Sequence, residues 1–234
     1  YEGDIAHTIR ISAVALVVGI RISAYFGHRI IVAGMHHQQA YQPIMSDAFT
    51  AWLTLLGPTE GVLSMDPHDP GNWTSGKVGV GELRGTKFGI SSGAHPDVDI
   101  ANLTLEEANV IRKEQYWDEV RGDEVPAALA IMLADAAYQS GPEAAIKTLQ
   151  LQLGFTGGWR GGVDGVFGKN TMARLQTALA RPSHFGMPSG LYDFITEYAS
   201  QRLMFEMSLG NWQRNKLGWT RRLMHDVALA TLHA

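Results

Sequence analysis

Between Thr59 and Thr74 the chain reads TEGVLSMDPHDPGNWT and sets two carboxyl groups of unlike surroundings nine positions apart. Glu60 follows an apolar segment and precedes Leu63, a setting that raises a carboxyl pKa and keeps a proton available near neutrality. Asp69 lies in DPHDPG, a turn-forming run whose backbone amides favour the ionised form. One protonated acid beside one carboxylate is the pairing that glycoside hydrolysis uses. The first protonates the leaving oxygen, and the second orients water or offsets the charge of an oxocarbenium-like transition state. A hydroxyl from Thr74 or Thr86 is a candidate to hold that water, and Trp73 a candidate to stack on a sugar face. Each residue also has a plainer reading: a solvated helix-end glutamate, a pair of aspartate-proline turn formers, a tryptophan that anchors a loop. Asp66, His68 and Asp69 crowd one turn without regular ligand spacing, so no metal is expected.

Composition narrows the field. Cysteine is absent from the 234 residues, which excludes disulfides, zinc-thiolate sites and a cysteine nucleophile. Formal charge divides unevenly, about +1 over residues 1–43, −8 over 44–125 and +3 over 126–234. No strongly basic stripe is available to neutralise phosphates, so nucleic acid is not an expected partner. The mildly basic last segment suits an anionic polymer.

Elements must position the chemistry. Ser46 is a plausible N-cap for a helix whose Phe49, Trp52, Leu53 and Leu56 share one face, and Gly57-Pro58 should end it just before Glu60. The glycine-rich run from Gly76 to Ser91 reads as short strands and tight turns, a small antiparallel ribbon beside the glutamate. TLEE at 104–107 is a capping box opening a helix that reaches about Trp117, and Pro126 suits the first turn of the next. SGPE at 140–143 reads as a second capping box, with the helix behind it closed by Gly154. A glycine-bracketed turn, GGVDGVFGKNT, leads into a helix carrying Met172, Leu175 and Leu179, and two further helices are expected with hinges near LGNW and LGW. The fold class is mainly α, an α+β helical bundle with one small ribbon. The expected regions are 1–43, an apolar N-terminal segment with a polar linker, 44–125, the catalytic region, and 126–234, a helical region packed on it. Residues 11–35 are apolar but interrupted by Arg21, His28 and Arg29. A weak membrane anchor ranks first for them, ahead of a secretory signal and a soluble β-rich segment, although the uncharged run Ile11 to Ile20 is half the roughly 20 residues a span needs.

Several motifs, in order, carry a family resemblance. EG at Glu60, DPHDPGNWT, GTKFGIS at 85–91, LTLEEANVIRKEQYW, LADAAYQSGPEAAIKTLQLQLG, GGVDGVFGKNT and LGWTRRL together resemble the glycoside hydrolase 108 lysozymes, mostly phage and prophage endolysins, over roughly residues 46–226. The sequence departs from the family pattern at Val62, at Gly71-Asn72 where a glycine pair is usual, and at Gly57-Pro58. The resemblance implies a lysozyme-like fold and hydrolysis of the β-1,4 bond between N-acetylmuramic acid and N-acetylglucosamine in bacterial peptidoglycan. Glu60 takes the place of the catalytic glutamate, with Asp69 and one threonine, Thr74 or Thr86, as weaker assistants. Trp73, Tyr138 and Gln139 are the implied substrate contacts, and the region after 126 is implied to bind peptidoglycan. No cofactor is implied. A monomer acting in the host periplasm or cell wall is expected, with an inner-membrane contact through residues 1–43. The alternatives are a lytic transglycosylase and a wall-binding component of a virion tail.

Overall fold

The computed structural model of the chain describes residues 47–57, 62–156, 162–187 and 189–234, with two short strands nearer the N-terminus. The chain divides into two compact units, Tyr1–Pro43 and Ile44–Ala234. In the first, β1 (Tyr25–Phe26) and β2 (Arg29–Ile30) pair antiparallel, so the backbone there is extended and an anchor helix running through Arg29 is not formed. The rest of the expected anchor, and the Ser46 cap, lie outside the described residues. No helix among the described residues is long and apolar enough to cross a membrane.

The second unit opens with α1 (Asp47–Leu55), whose Phe49 and Trp52 are fully buried. Gly57 follows in the left-handed region at φ 69°, where glycine alone is unstrained, and the helix stops as its Gly-Pro pair predicts. A loop-rich stretch then leads to β3 (Thr86–Lys87) and β4 (Ile90–Ser91), paired antiparallel across Phe88-Gly89. Both turn residues have positive φ, 51° and 73°, the geometry that matches the twist of a two-residue hairpin. The ribbon is shorter than the glycine-rich run suggested, because residues 76–81 form turns rather than strand.

The helices follow in short-linked order. The expected capping box opens α2 (Leu105–Arg112): Thr104 Oγ1 accepts from the Glu107 amide and the Glu107 carboxylate accepts from the Thr104 amide. A wider π-type turn, Lys113–Trp117, extends it to the buried Trp117. Then come α3 (Ala127–Ser140) and α4 (Pro142–Gln152). The second capping box is not formed. Ser140 is the last residue of α3, so it is helical rather than extended as an N-cap must be, and Glu143 pairs with Lys147 at 2.5 Å instead. The turn before α5 (Lys169–Leu179) is held by Gln150, which donates to Asp164 Oδ1, the Val166 carbonyl and Thr171 Oγ1 and accepts from the Gly165 amide. Last are α6 (Gly190–Ser208) and α7 (Trp212–Thr231). They break at Leu209–Asn211 as LGNW suggested, but LGW lies inside α7, where Trp219 packs against Trp212.

Every side chain from Ala128 to Ala137 is buried, the charged Asp135 included, and α3 packs against α1, α4, α6 and α7. Phe49, Trp52 and Trp117 meet at ring separations of 5.3 to 6.0 Å and lock α1 to the end of the π-type turn. A smaller apolar cluster, Ile90, Ile100, Leu103 and Ala108, supports the hairpin. Tyr138, at the end of α3, packs against both clusters.

Candidate active site

The loop between Val62 and Leu83 is shaped by short side chains that bond backbone. Asp66 Oδ1 accepts from the His68 amide and Asp69 Oδ1 from the Gly71 amide, each at 2.9 Å, so both aspartates close Asx turns. Asp69 thereby caps a single 3-10 turn, Pro70–Asn72. Trp73 donates its indole N–H to the Pro67 carbonyl at 2.9 Å, across the loop's mouth. The loop joins the hairpin through two isolated bridges, Ser64 with Thr86 and Trp73 with Leu83. Gly85 makes the close approach possible: at φ 85°, a Cβ there would meet the Ser64 carbonyl oxygen at 2.4 Å.

Asn72, fully buried, stands at the centre. Its Nδ2 donates to the Asp66 carbonyl at 3.0 Å, and its Oδ1 accepts from Thr86 Oγ1 at 2.7 Å. Its own carbonyl accepts from the amides of Arg84 and Gly85, and its amide donates to the Asp69 carbonyl. The two threonines are therefore unlike. Thr86 spends its hydroxyl hydrogen on Asn72. Thr74 Oγ1 accepts from the Glu82 amide at 3.0 Å, and its hydrogen is taken by no described residue.

The family model of glycosyl hydrolase 108 matches residues 54–141. That stretch is similar to glycosyl hydrolase 108. Its span takes in the Glu60 position, the acidic loop, the hairpin and α3 up to Gly141. Among solved structures, SagA of Brucella abortus matches with a TM-score of 0.60 at 26% identity, over 80% of this chain and 94% of that one. No curated protein matches the chain. The resemblance read from the motifs is thus matched over residues 54–141, and the mainly helical fold with a small antiparallel ribbon is lysozyme-like.

Within the matched stretch, Glu60 itself lies outside the described residues. Asp69 is exposed, with one oxygen engaged by Gly71, and it shares a continuous hydrogen-bonded loop with Thr74, Asn72 and Thr86. Trp73 is half-buried and its polar edge is used by the loop, which leaves the ring rather than the N–H for any ligand. Among the described residues, no cluster of three or more His, Asp or Glu side chains is arranged to hold a metal.

Tyr138 and Gln139 occupy a different setting. The Tyr138 ring meets Trp52 at 5.9 Å and Tyr116 at 5.1 Å, with the Arg112 and Arg222 guanidiniums 6.0 and 5.7 Å from its centre. Its hydroxyl lies 2.3 Å from where a Cβ on Gly89 would sit, and Gly89 has φ 73°, so the hairpin turn favours glycine. Arg112 also donates to the Phe88 carbonyl, tying the same turn to α2. Tyr116 continues the series to His95 Nε2 at 3.2 Å; burial pushes the Tyr116 hydroxyl up to about 12 and the His95 imidazolium down. Gln139 Oε1 accepts from Arg202 at 2.6 Å.

Arg202 anchors a charge cluster that sequence reading did not find. It reaches Asp135 at 2.9 Å, Glu206 at 3.0 Å and Asp226 at 2.7 Å, three carboxylates with no exposed side-chain surface, while Arg222 holds Asp135 from the other side. Three acids face two guanidiniums, so neutrality in this dry setting calls for one proton. Burial and then the neighbouring Asp135 carboxylate push Asp226 up to about 9. Asp135 is also raised by burial, but hydrogen bonds from Arg222 and the charge of Arg202 outweigh this and hold it below the usual carboxylate range. Arg202 and Glu206 share an i,i+4 spacing on α6, but Asp135 lies 67 positions from Arg202 and 87 from Arg222, and no local pattern signals that it joins them.

Proposed function

We propose that this glycoside hydrolase is an endolysin-type muramidase that cleaves the β-1,4 bond between N-acetylmuramic acid and N-acetylglucosamine in bacterial peptidoglycan. The carrying observation is the glycosyl hydrolase 108 match over residues 54–141, which spans Glu60, Asp69 and Thr74 in one segment. In this reading Glu60 is the general acid that protonates the glycosidic oxygen. Asp69 is the carboxylate that offsets charge at the sugar ring or steers water, through the oxygen that Gly71 leaves free. Thr74 is the assisting hydroxyl, since its hydrogen is uncommitted, and Thr86 is a brace for Asn72. The Trp73 ring is the sugar-stacking surface. Tyr138 and Gln139 serve the site by holding the hairpin and α3 rather than by touching glycan, because their partners are protein groups. The helical region 126–234 is assigned to wall binding, and the working place is the periplasm or cell wall of the host.

The test is wall lysis by wild type and by Glu60→Gln, with mass spectrometry of the products. Glutamine keeps shape and hydrogen bonding but cannot donate the proton, so lysis should fall about 100-fold or more with an unchanged melting temperature. Reducing N-acetylmuramic acid ends mark hydrolysis; anhydro ends would replace the muramidase assignment by lytic transglycosylation. Retention of more than about a tenth of wild-type lysis would remove Glu60 from the acid role.

A further inference from the structure

We infer that Asn72 is the positioning residue of the site, the side chain whose two hydrogen bonds fix the acidic loop against the hairpin and so place Asp69 and Thr74. The inference rests on the proposed hydrolase reading and adds to it a residue that the motifs marked only as a departure, an asparagine where the family has glycine. A glycine there has no side chain to offer. Here the amide is wholly buried and every bond it makes joins two parts of the loop: Nδ2 to Asp66 at the start of the turn, Oδ1 to Thr86 on β3. Its backbone carbonyl takes the amides of Arg84 and Gly85, and its amide reaches Asp69. Thr74, two positions on, is fastened in turn to Glu82. Losing one of these bonds leaves a buried polar group unpartnered and frees the loop to shift. A shift of about 1 Å in a catalytic group is enough to slow chemistry greatly.

Asn72→Asp makes a sharp probe because it differs by one group. As a neutral acid, the new carboxyl can donate to the Asp66 carbonyl and accept from Thr86, as the amide does. Ionised, it sets oxygen against oxygen in a buried site, and burial will favour its protonated form. Activity on purified walls should be followed from pH 5 to 8 as the maximal rate and the half-saturating wall concentration, at a temperature where circular dichroism shows both proteins folded. The expected result is a variant-to-wild-type ratio of maximal rates that is about tenfold lower at pH 8 than at pH 5, with half-saturation unchanged. Thr86→Val, which removes one of the same bonds without adding charge, should lower the maximal rate about tenfold, and Thr86→Ser should restore it. This pair carries the test if Asn72→Asp does not fold. A flat ratio within about twofold of wild type, or equal rates for Thr86→Val and Thr86→Ser, overturns the assignment. Product release by the wild type is measured beside them: if the wild type frees no glycan fragments from purified walls, the hydrolase reading fails and the inference with it, whereas an active wild type with wild-type rates in the other variants removes Asn72 alone.

Discussion

The acidic loop with its hairpin and the bundle around α3 are built by opposite means. In residues 62–103 the fully buried apolar side chains are few, Ile90, Ile100 and Leu103, and the shape comes from Asx turns, the Asn72 bonds and glycines at forced close approaches. The bundle buries ten consecutive residues of α3 among four other helices and adds a buried charge cluster. Hydrogen bonds are directional but contribute only about 1 kcal/mol each, while apolar burial is large and indifferent to small displacements. The loop is thus suited to placing groups and the bundle to keeping the chain folded. Tyr138 joins them, with Trp52 on one side and Tyr116 on the other.

The strongest test of this contrast is Asp135→Ala. It removes the buried carboxylate that accepts from both Arg202 and Arg222 and leaves a gap beside them, and should destabilise the fold by about 3–5 kcal/mol, read by urea or thermal unfolding. Lysis measured where the variant is still folded should stay near wild type. An intact melting temperature with lost lysis would reverse the division of labour.

In the loop the opposite pattern is expected. Thr74→Val should slow lysis by about 30-fold, more than Thr86→Val, while the midpoint of unfolding moves by under about 1 kcal/mol. Asp69→Asn should cost less than Glu60→Gln and move the acidic limb of the pH profile. If Asp69→Asn matched Glu60→Gln, Asp69 would be a nucleophile or a proton-sharing partner rather than a charge-steadying group.

A smaller effect concerns the proton in the cluster. Asp226 titrates near 4 in the unfolded chain and about 9 in the folded one, so its contribution is whole below the lower value and is lost as pH rises through the upper. The stability of the wild type should therefore fall between about pH 4 and 9, by at most about 1.4 kcal/mol per pH unit for one proton, and this component should be missing from Asp226→Asn, whose amide carries permanent hydrogens. Parallel curves would show that the cluster holds no titrating proton.

The smallest shift is expected from a chain beginning at Met45. Since Ile44–Ala234 is a compact unit of its own, the shortened chain should keep wall lysis and melt within about 2 °C of the full chain. A clear drop would make residues 1–43 part of the support for the loop or the bundle.

Local rules carried far in this sequence. Thr104 and Glu107 form the box their spacing announced, Gly57 and Gly154 take the left-handed conformations that end helices, and the three- and four-residue recurrence of Phe49, Trp52 and Leu56 marks the buried face of α1. These signals act over a few residues, where backbone conformation and side-chain bonding are decided by near neighbours. The same rules misjudged Ser140 and LGW, because α3 runs on to Ser140 under the packing of four helices and Gly218 is carried inside a long helix whose flanking tryptophans pack together. The family motifs named the region of the site, but not which threonine keeps a free hydrogen, nor that Asn72 is its buried centre, nor that Gln139 answers to Arg202, 63 positions away. Those are facts about partners. A side chain's partner is set by where the rest of the chain comes to lie, and only the tertiary structure brings those positions together.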